Sequence, residues 1–154
     1  GFQQMAQGSA KPVDFEQLKA VLPEVGGWSR SDVRGEQVNM PVAVSRAEAR
    51  YRKDEASVEL EVMDTALSQL MLAPINMFLA AGYEERSDEG FKRATKISGQ
   101  TAFEEWNANS KRGEVTVLAA NRFVVKATGR DVADLSVVRD LASAVDFTKL
   151  AGLK

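Results

Sequence analysis

The 154-residue chain contains no cysteine and no histidine. Without cysteine there is no disulfide, no thiol nucleophile and no thiolate to hold a metal, and the redox compartment cannot be read from disulfides. Without histidine there is no imidazole base, no Ser-His-Asp triad and no imidazole ligand for zinc. A catalyst built from this chain would have to work with carboxylates, lysine, tyrosine, serine or threonine alone. The expectation is that the protein is not an enzyme and carries no cofactor or metal. An excess of one charge sign is also missing: 20 basic and 22 acidic residues leave a net charge of −2. No global field draws nucleic acid or an anionic membrane, so such a partner would need a local patch. No apolar run reaches the roughly 20 residues of a membrane span.

What is present is an ordinary globular composition, 44% hydrophobic and 27% charged, in a chain long enough for one sizeable core. The organising stretch is 101–130. Val115, Val117 and Ala119 alternate with Glu114, Thr116 and Leu118, and after a turn Phe123, Val125 and Ala127 alternate with Val124, Lys126 and Thr128. Period two is the strand signature. A three-residue loop at 120–122 puts Ala119 opposite Phe123, Val117 opposite Val125 and Val115 opposite Ala127. All six apolar side chains then share one face, whereas a two-residue loop mixes the faces. Ala102 to Trp106 supplies the preceding strand, joined through a polar turn ending at Gly113.

Residues 1–13, small and polar, read as a flexible lead-in to a single α+β domain over 14–154. Gly1 looks like a protease scar and the chain does not start with Met, so a removed upstream segment, such as a signal segment with a possible membrane anchor, is expected. Asp14 caps a short helix carrying Phe15, Leu18 and Leu22, which Pro23 stops. Trp28 follows the Gly26-Gly27 turn, either as a ligand platform or as a lid on one end of the core. Residues 29–41 read as a polar connector, with or without a short extended piece. Val42 to Lys53 and Ser57 to Met63 read as a hairpin in which Tyr51 faces Val58, Ala49 faces Leu60 and Ala47 faces Val62. That register sets Arg50 opposite Glu59, which is favourable, and Glu48 opposite Glu61, which needs a cation between them. Arg46, Arg50 and Arg52 form either an anion-binding strip or a solvated face of mixed charge.

The most apolar stretch, Ala66 to Ala81, reads as a helix interrupted by Pro74. Leu67, Leu70, Met71, Ile75 and Phe78 make its core face, and Leu72, Met77 and Leu79 broaden it. It is either a core helix or a pliable, Met-rich wall for an apolar ligand or partner. Tyr83 to Gly90 clusters Glu84, Glu85, Asp88 and Glu89 without the order of a calcium loop, and reads as a solvated loop. Phe91 to Ile97 reads as an edge strand. Asp131 is expected to cap the last long helix, which carries Leu135, Val138, Leu141, Ala142 and Val145. Asp146 starts a final turn with Phe147 and Leu150. The fold class is α+β, with an antiparallel sheet of about six strands in the order α-β-β-α-β-β-β-β-α, flanked by helices.

The second half resembles the PsbP-like group, which includes photosystem accessory proteins and the bacterial DcrB lipoproteins. The residues that carry the likeness are Gly99 before the strand TAFEEW, the polar turn, the hairpin EVTVLAANRFVVKATG and the closing helix, with Leu22-Pro23 to Trp28 similar to an early Pro-x-x-Trp region at different spacing. The resemblance implies a PsbP-like sheet flanked by helices, a bacterial exported protein of the periplasm or cell envelope, and an accessory or binding role without catalysis. It carries no site residues across.

Three functions therefore stand as expectations. The first is a non-catalytic exported accessory or binding domain with a protein partner. The second is a carrier of a small apolar ligand or lipid, with Trp28, Met71, Met77 and Phe78 as its contacts. The third is a carboxylate enzyme built on Glu104 and Glu105, which is disfavoured because neighbours on a strand point to opposite faces. Nucleic acid and an integral membrane span within these residues are not expected.

Overall fold

The computed structural model describes residues 11–39, 43–66, 73, 77 and 82–153. Among them, α1 (Phe15–Lys19) precedes β1 (Ser29–Val38), β2 (Val44–Lys53) and β3 (Ala56–Asp64), and these are followed by β4 (Glu84–Ser87), β5 (Gly90–Ile97), β6 (Gln100–Asn107), β7 (Arg112–Ala119) and β8 (Phe123–Arg130). The chain closes with α2 (Leu135–Ser143) and α3 (Phe147–Ala151). All eight strands form one antiparallel sheet in the order β1-β2-β3-β8-β7-β6-β5-β4. Two meanders, β1–β3 and β4–β8, are thus joined side by side through β3 and β8. Of the interrupted helix expected over 66–81, all but Ala66, Ala73 and Met77 lie outside the described residues.

The hairpin registers follow the apolar pattern. In β7–β8, Ala119 pairs with Phe123, Val117 with Val125 and Val115 with Ala127. The loop between them places Ala120 and Asn121 in the left-handed region, at φ 54° and 51°. In β2–β3, Tyr51 pairs with Val58, Ala49 with Leu60 and Ala47 with Val62. The same register sets Glu48 opposite Glu61, and arginines resolve the clash. Arg34 binds Glu48, and Arg46 Nη1 donates to Glu61 Oε2 at 3.5 Å.

The strand count differs from the expected six because two polar segments pair at the sheet's edges. Residues 29–38, expected as a connector, form β1 against β2, with an irregularity between Ser31 and Arg34. The acidic run, expected as a loop, contributes β4, whose four residues are all exposed and which pairs with β5. β5 is therefore an interior strand rather than the edge. Edge strands gain their pairing from backbone hydrogen bonds on one side and need no apolar face.

One sheet face is the core. Tyr51, Leu60, Val117, Phe123 and Val125 are at most 1% exposed there, and Leu18, Leu141 and Leu150 come down on it from the three helices. α2 sits close because Gly113 and Gly129 pair opposite each other beneath it. A Cβ on Gly113 would lie 2.7 Å from Leu135, and one on Gly129 would lie 2.4 Å from Val138. The α2 cap is Asp134, which accepts from Ser136 N at 2.8 Å. Asp131, expected in that role, instead takes a left-handed turn at φ 54° as the chain leaves β8. Buried Val132, tied to Lys111 O at 3.3 Å, then leads into the helix. Asp14 and Asp146 cap α1 and α3 as expected.

Two buried carboxylates lock the helices and the chain start to the sheet. Asp64 accepts four hydrogen bonds: Val13 N at 2.6 Å, Ala66 N at 2.8 Å and Arg122 Nε and Nη2 at 2.7 and 2.8 Å. Arg122 also donates to Lys11 O at 2.9 Å, so the end of the expected lead-in is fastened where β3 ends beside the start of β8, at the middle of the sheet, with Val13 in the core. The bond to Asp64 holds the Arg122 guanidinium above its ordinary pKa.

Candidate functional site

The strand period that fills the core with apolar residues sends the alternate positions to the opposite face. Among the described residues the three helices pack on the core side. The opposite face is apolar at one end, where Met63, Val124 and Leu118 are register partners and Leu118 is buried, and is open and lined by charge over the rest. Reading the registers across the strands gives rows of side chains. One row runs Arg34, Glu48, Glu61 and Lys126, and the next Arg50, Glu59, Thr128 and Glu114. Both mix the two signs. Arg46 is satisfied by Glu36 and Glu61, Arg50 lies 3.6 Å from Asp32, and Lys126 lies 3.7 Å from Glu114.

The last row is different. Ser29, Arg52, Ser57 and Arg130 are register partners in β1, β2, β3 and β8. Arg112 lies one step beyond the Gly113–Gly129 pair and next to Arg130, and its partner on β6 is Asn107. This row contains three arginines and no carboxylate. Arg52, Arg112 and Arg130 are exposed and make no ion pair among the described residues. Together with Arg50 and Lys126 they line a recess of about 410 Å³. Ser57 and Thr128 supply hydroxyls to it, and Glu59 and Glu61 are its two carboxylates. Burial pushes the Glu61 carboxyl above its usual pKa, against the opposing pull of Arg46.

Of the arginine strip on β2, then, Arg46 and Arg50 are engaged in the face's own ion pairs, and Arg52 joins a cluster completed by Arg112 and Arg130. The sequence signal for that cluster lies in two registers, 52 opposite 57 and 115 opposite 127. Each is legible separately, but the β3–β8 pairing that merges them joins segments about 70 residues apart.

The other expected site residues fall elsewhere. Trp28 is half-buried against the core. Met77 is 73% exposed. Met71 and Phe78 lie outside the described residues. Glu104 and Glu105 point to opposite faces, with Glu105 on the open one, 3.5 Å from Lys92. Glu104 is fully buried and sits between two arginines, receiving Arg93 Nε at 2.9 Å and Arg139 Nε at 2.6 Å. Its neighbours are cations rather than further acids, so this carboxylate joins β5, β6 and α2 as a structural clasp. No group of three or more acidic residues placed to hold a metal exists among the described residues, and none of their helices is long and apolar enough to cross a membrane.

Comparison with known proteins finds no matching family model, no matching curated protein and no matching solved structure.

Proposed function

We propose that this is a non-catalytic binding or accessory domain whose working surface is the open face of the sheet. The observation that carries the reading is the recess lined by Arg50, Arg52, Arg112, Lys126 and Arg130. Three of these cations lack a protein counter-charge among the described residues. A surface of balanced charge satisfies itself, whereas unneutralised arginines at fixed backbone spacing leave a site for a partner of opposite sign. The lack of histidine and cysteine and the arginine-bound state of Glu104 support a role without catalysis. The likeness to the PsbP-like group supports an exported, cell-envelope setting. The polar lining of the recess favours this reading over a carrier of apolar ligands.

Photo-crosslinking in cells tests it. A photoreactive residue at Thr128, on the open face, should give specific adducts, and one at Ser143, exposed at the end of α2, should not. Equal yields from both positions, or none from Thr128, would overturn the reading. Cell fractionation tests the setting, since recovery in the cytosol alone would exclude the envelope.

A further inference from the structure

Building on the open face as the working surface, we propose that Arg52, Arg112 and Arg130 bind a compact soluble ligand that carries two or more linked phosphate groups. Five cationic side chains line the recess; Arg50 and Lys126 already face Asp32 and Glu114, and the three unpaired arginines against the unpaired Glu59 leave a surplus of two positive charges. A single phosphate monoester carries about −1.5 to −2 at neutral pH. However, Arg52 and Arg112 stand three strand spacings apart, roughly 14 Å, farther than one phosphate reaches, so the set fits two or more linked phosphates. Each guanidinium presents a planar fork of donors that fits phosphate oxygens two at a time, a geometry lysine lacks.

Placement reinforces the charge. Neighbouring strands lie about 4.8 Å apart, so Arg112 and Arg130 stand side by side on β7 and β8. Arg52 faces them from β2 across Ser57 on β3. By register Arg112 and Arg130 lie on the β7–β8 side of the recess and Arg52 on the β2 side, and Ser57 and Thr128 line the same recess with hydroxyls that can donate. A volume of about 410 Å³ is that of a small-molecule site. The donors line a recess, which a flat bilayer would meet only at its rim, and this favours a soluble ligand over a lipid headgroup. Glu59 is the unfavourable member. It lies in the recess, makes no ion pair among the described residues and repels an anion.

Isothermal titration of the full chain with sodium pyrophosphate at roughly 50 mM salt, where screening is modest, tests the proposal. Saturable one-to-one binding is expected. Arg112→Gln with Arg130→Gln should weaken it at least about tenfold, as loss of charge-assisted hydrogen bonds does. Glu59→Gln should tighten it, and Arg86→Gln, on the far edge strand, should leave it unchanged. These residues are exposed, and circular dichroism checks that each variant folds. Absence of saturable binding, or equal weakening by Arg86→Gln, would overturn the proposal. Tighter binding to phosphatidylcholine vesicles containing phosphatidylglycerol, lost in the same double variant, would overturn the soluble source. Adducts from Thr128 without pyrophosphate binding would sink the phosphate ligand alone. Loss of both would sink the open face as the working surface.

Discussion

Asp64→Asn is the substitution that most sharply probes how this fold is held together. The Asp64 carboxylate is fully buried, and each of its oxygens accepts two donors. Oδ1 takes Ala66 N and Arg122 Nε, and Oδ2 takes Val13 N and Arg122 Nη2. Asparagine has the same shape but only one acceptor oxygen. Whichever way its amide turns, the NH2 group faces two donors. The variant therefore loses two hydrogen bonds, creates donor–donor repulsion and leaves the Arg122 charge, which is only 15% exposed, without its counter-ion. Removing one partner of a buried ion pair typically costs about 3–5 kcal/mol. Against a usual total of about 5–15 kcal/mol, that is a large fraction, and it corresponds to a fall in Tm of roughly 10 °C for a chain of this size. Urea unfolding followed by circular dichroism measures it. Arg122→Lys, which keeps the charge and loses the fork, should fall between the wild type and Asp64→Asn. A loss below about 1 kcal/mol in Asp64→Asn would refute the reasoning, because a buried four-bond acceptor cannot be replaced so cheaply.

Glu104→Leu should destabilise by about 2–3 kcal/mol, less than the full cost of breaking a buried pair, because Arg93 and Arg139 are 34% and 37% exposed and can rehydrate; chemical denaturation checks this. Gly129→Ala should cost about 1–3 kcal/mol through overpacking, since the new Cβ would meet Val138 at 2.4 Å, and pairing it with Val138→Ala should recover part of the loss. Burial pushes the Tyr51 phenol up to about 12, and its OH donates to Pro23 O at 2.5 Å. The folded state therefore holds this proton more tightly than the unfolded chain, and stability should decline as pH rises from about 10 to about 12; Tyr51→Phe should remove that component in alkaline unfolding curves. Burial likewise raises the Glu61 carboxyl, beside Arg46, Glu48, Glu59 and Lys126. Folded protein binds the more protons just above pH 4.5, so this residue's contribution to stability falls as pH rises through that window, and Glu61→Gln should flatten the profile.

The parts of the fold legible from sequence are those where one face is buried. In β2, β3, β7 and β8 the core residues recur at every second position, and a slip of one would expose all of them, so the pattern alone sets the register. β1 and β4 were not legible because their side chains are mostly or wholly exposed. Backbone pairing at a sheet edge leaves no apolar trace. The α2 cap was misplaced by three residues because Asp131 and Asp134 are both suitable residues, and the left-handed turn at Asp131 that decides between them depends on how β8 ends. The arginine cluster was half legible. Arg52 stood out in its strand, but Arg112 and Arg130 join it only through the β3–β8 pairing, which no local pattern encodes.

The most direct test of the central claim is an NMR titration with pyrophosphate that follows the arginine Nε–H signals. Arg93, Arg122 and Arg139 are internal controls, since their Nε groups already serve carboxylates. Concerted, saturating shifts at Arg52, Arg112 and Arg130, with the three controls still, are the predicted result. Uniform shifts of all exposed arginines, or shifts centred away from the open face, would contradict the account.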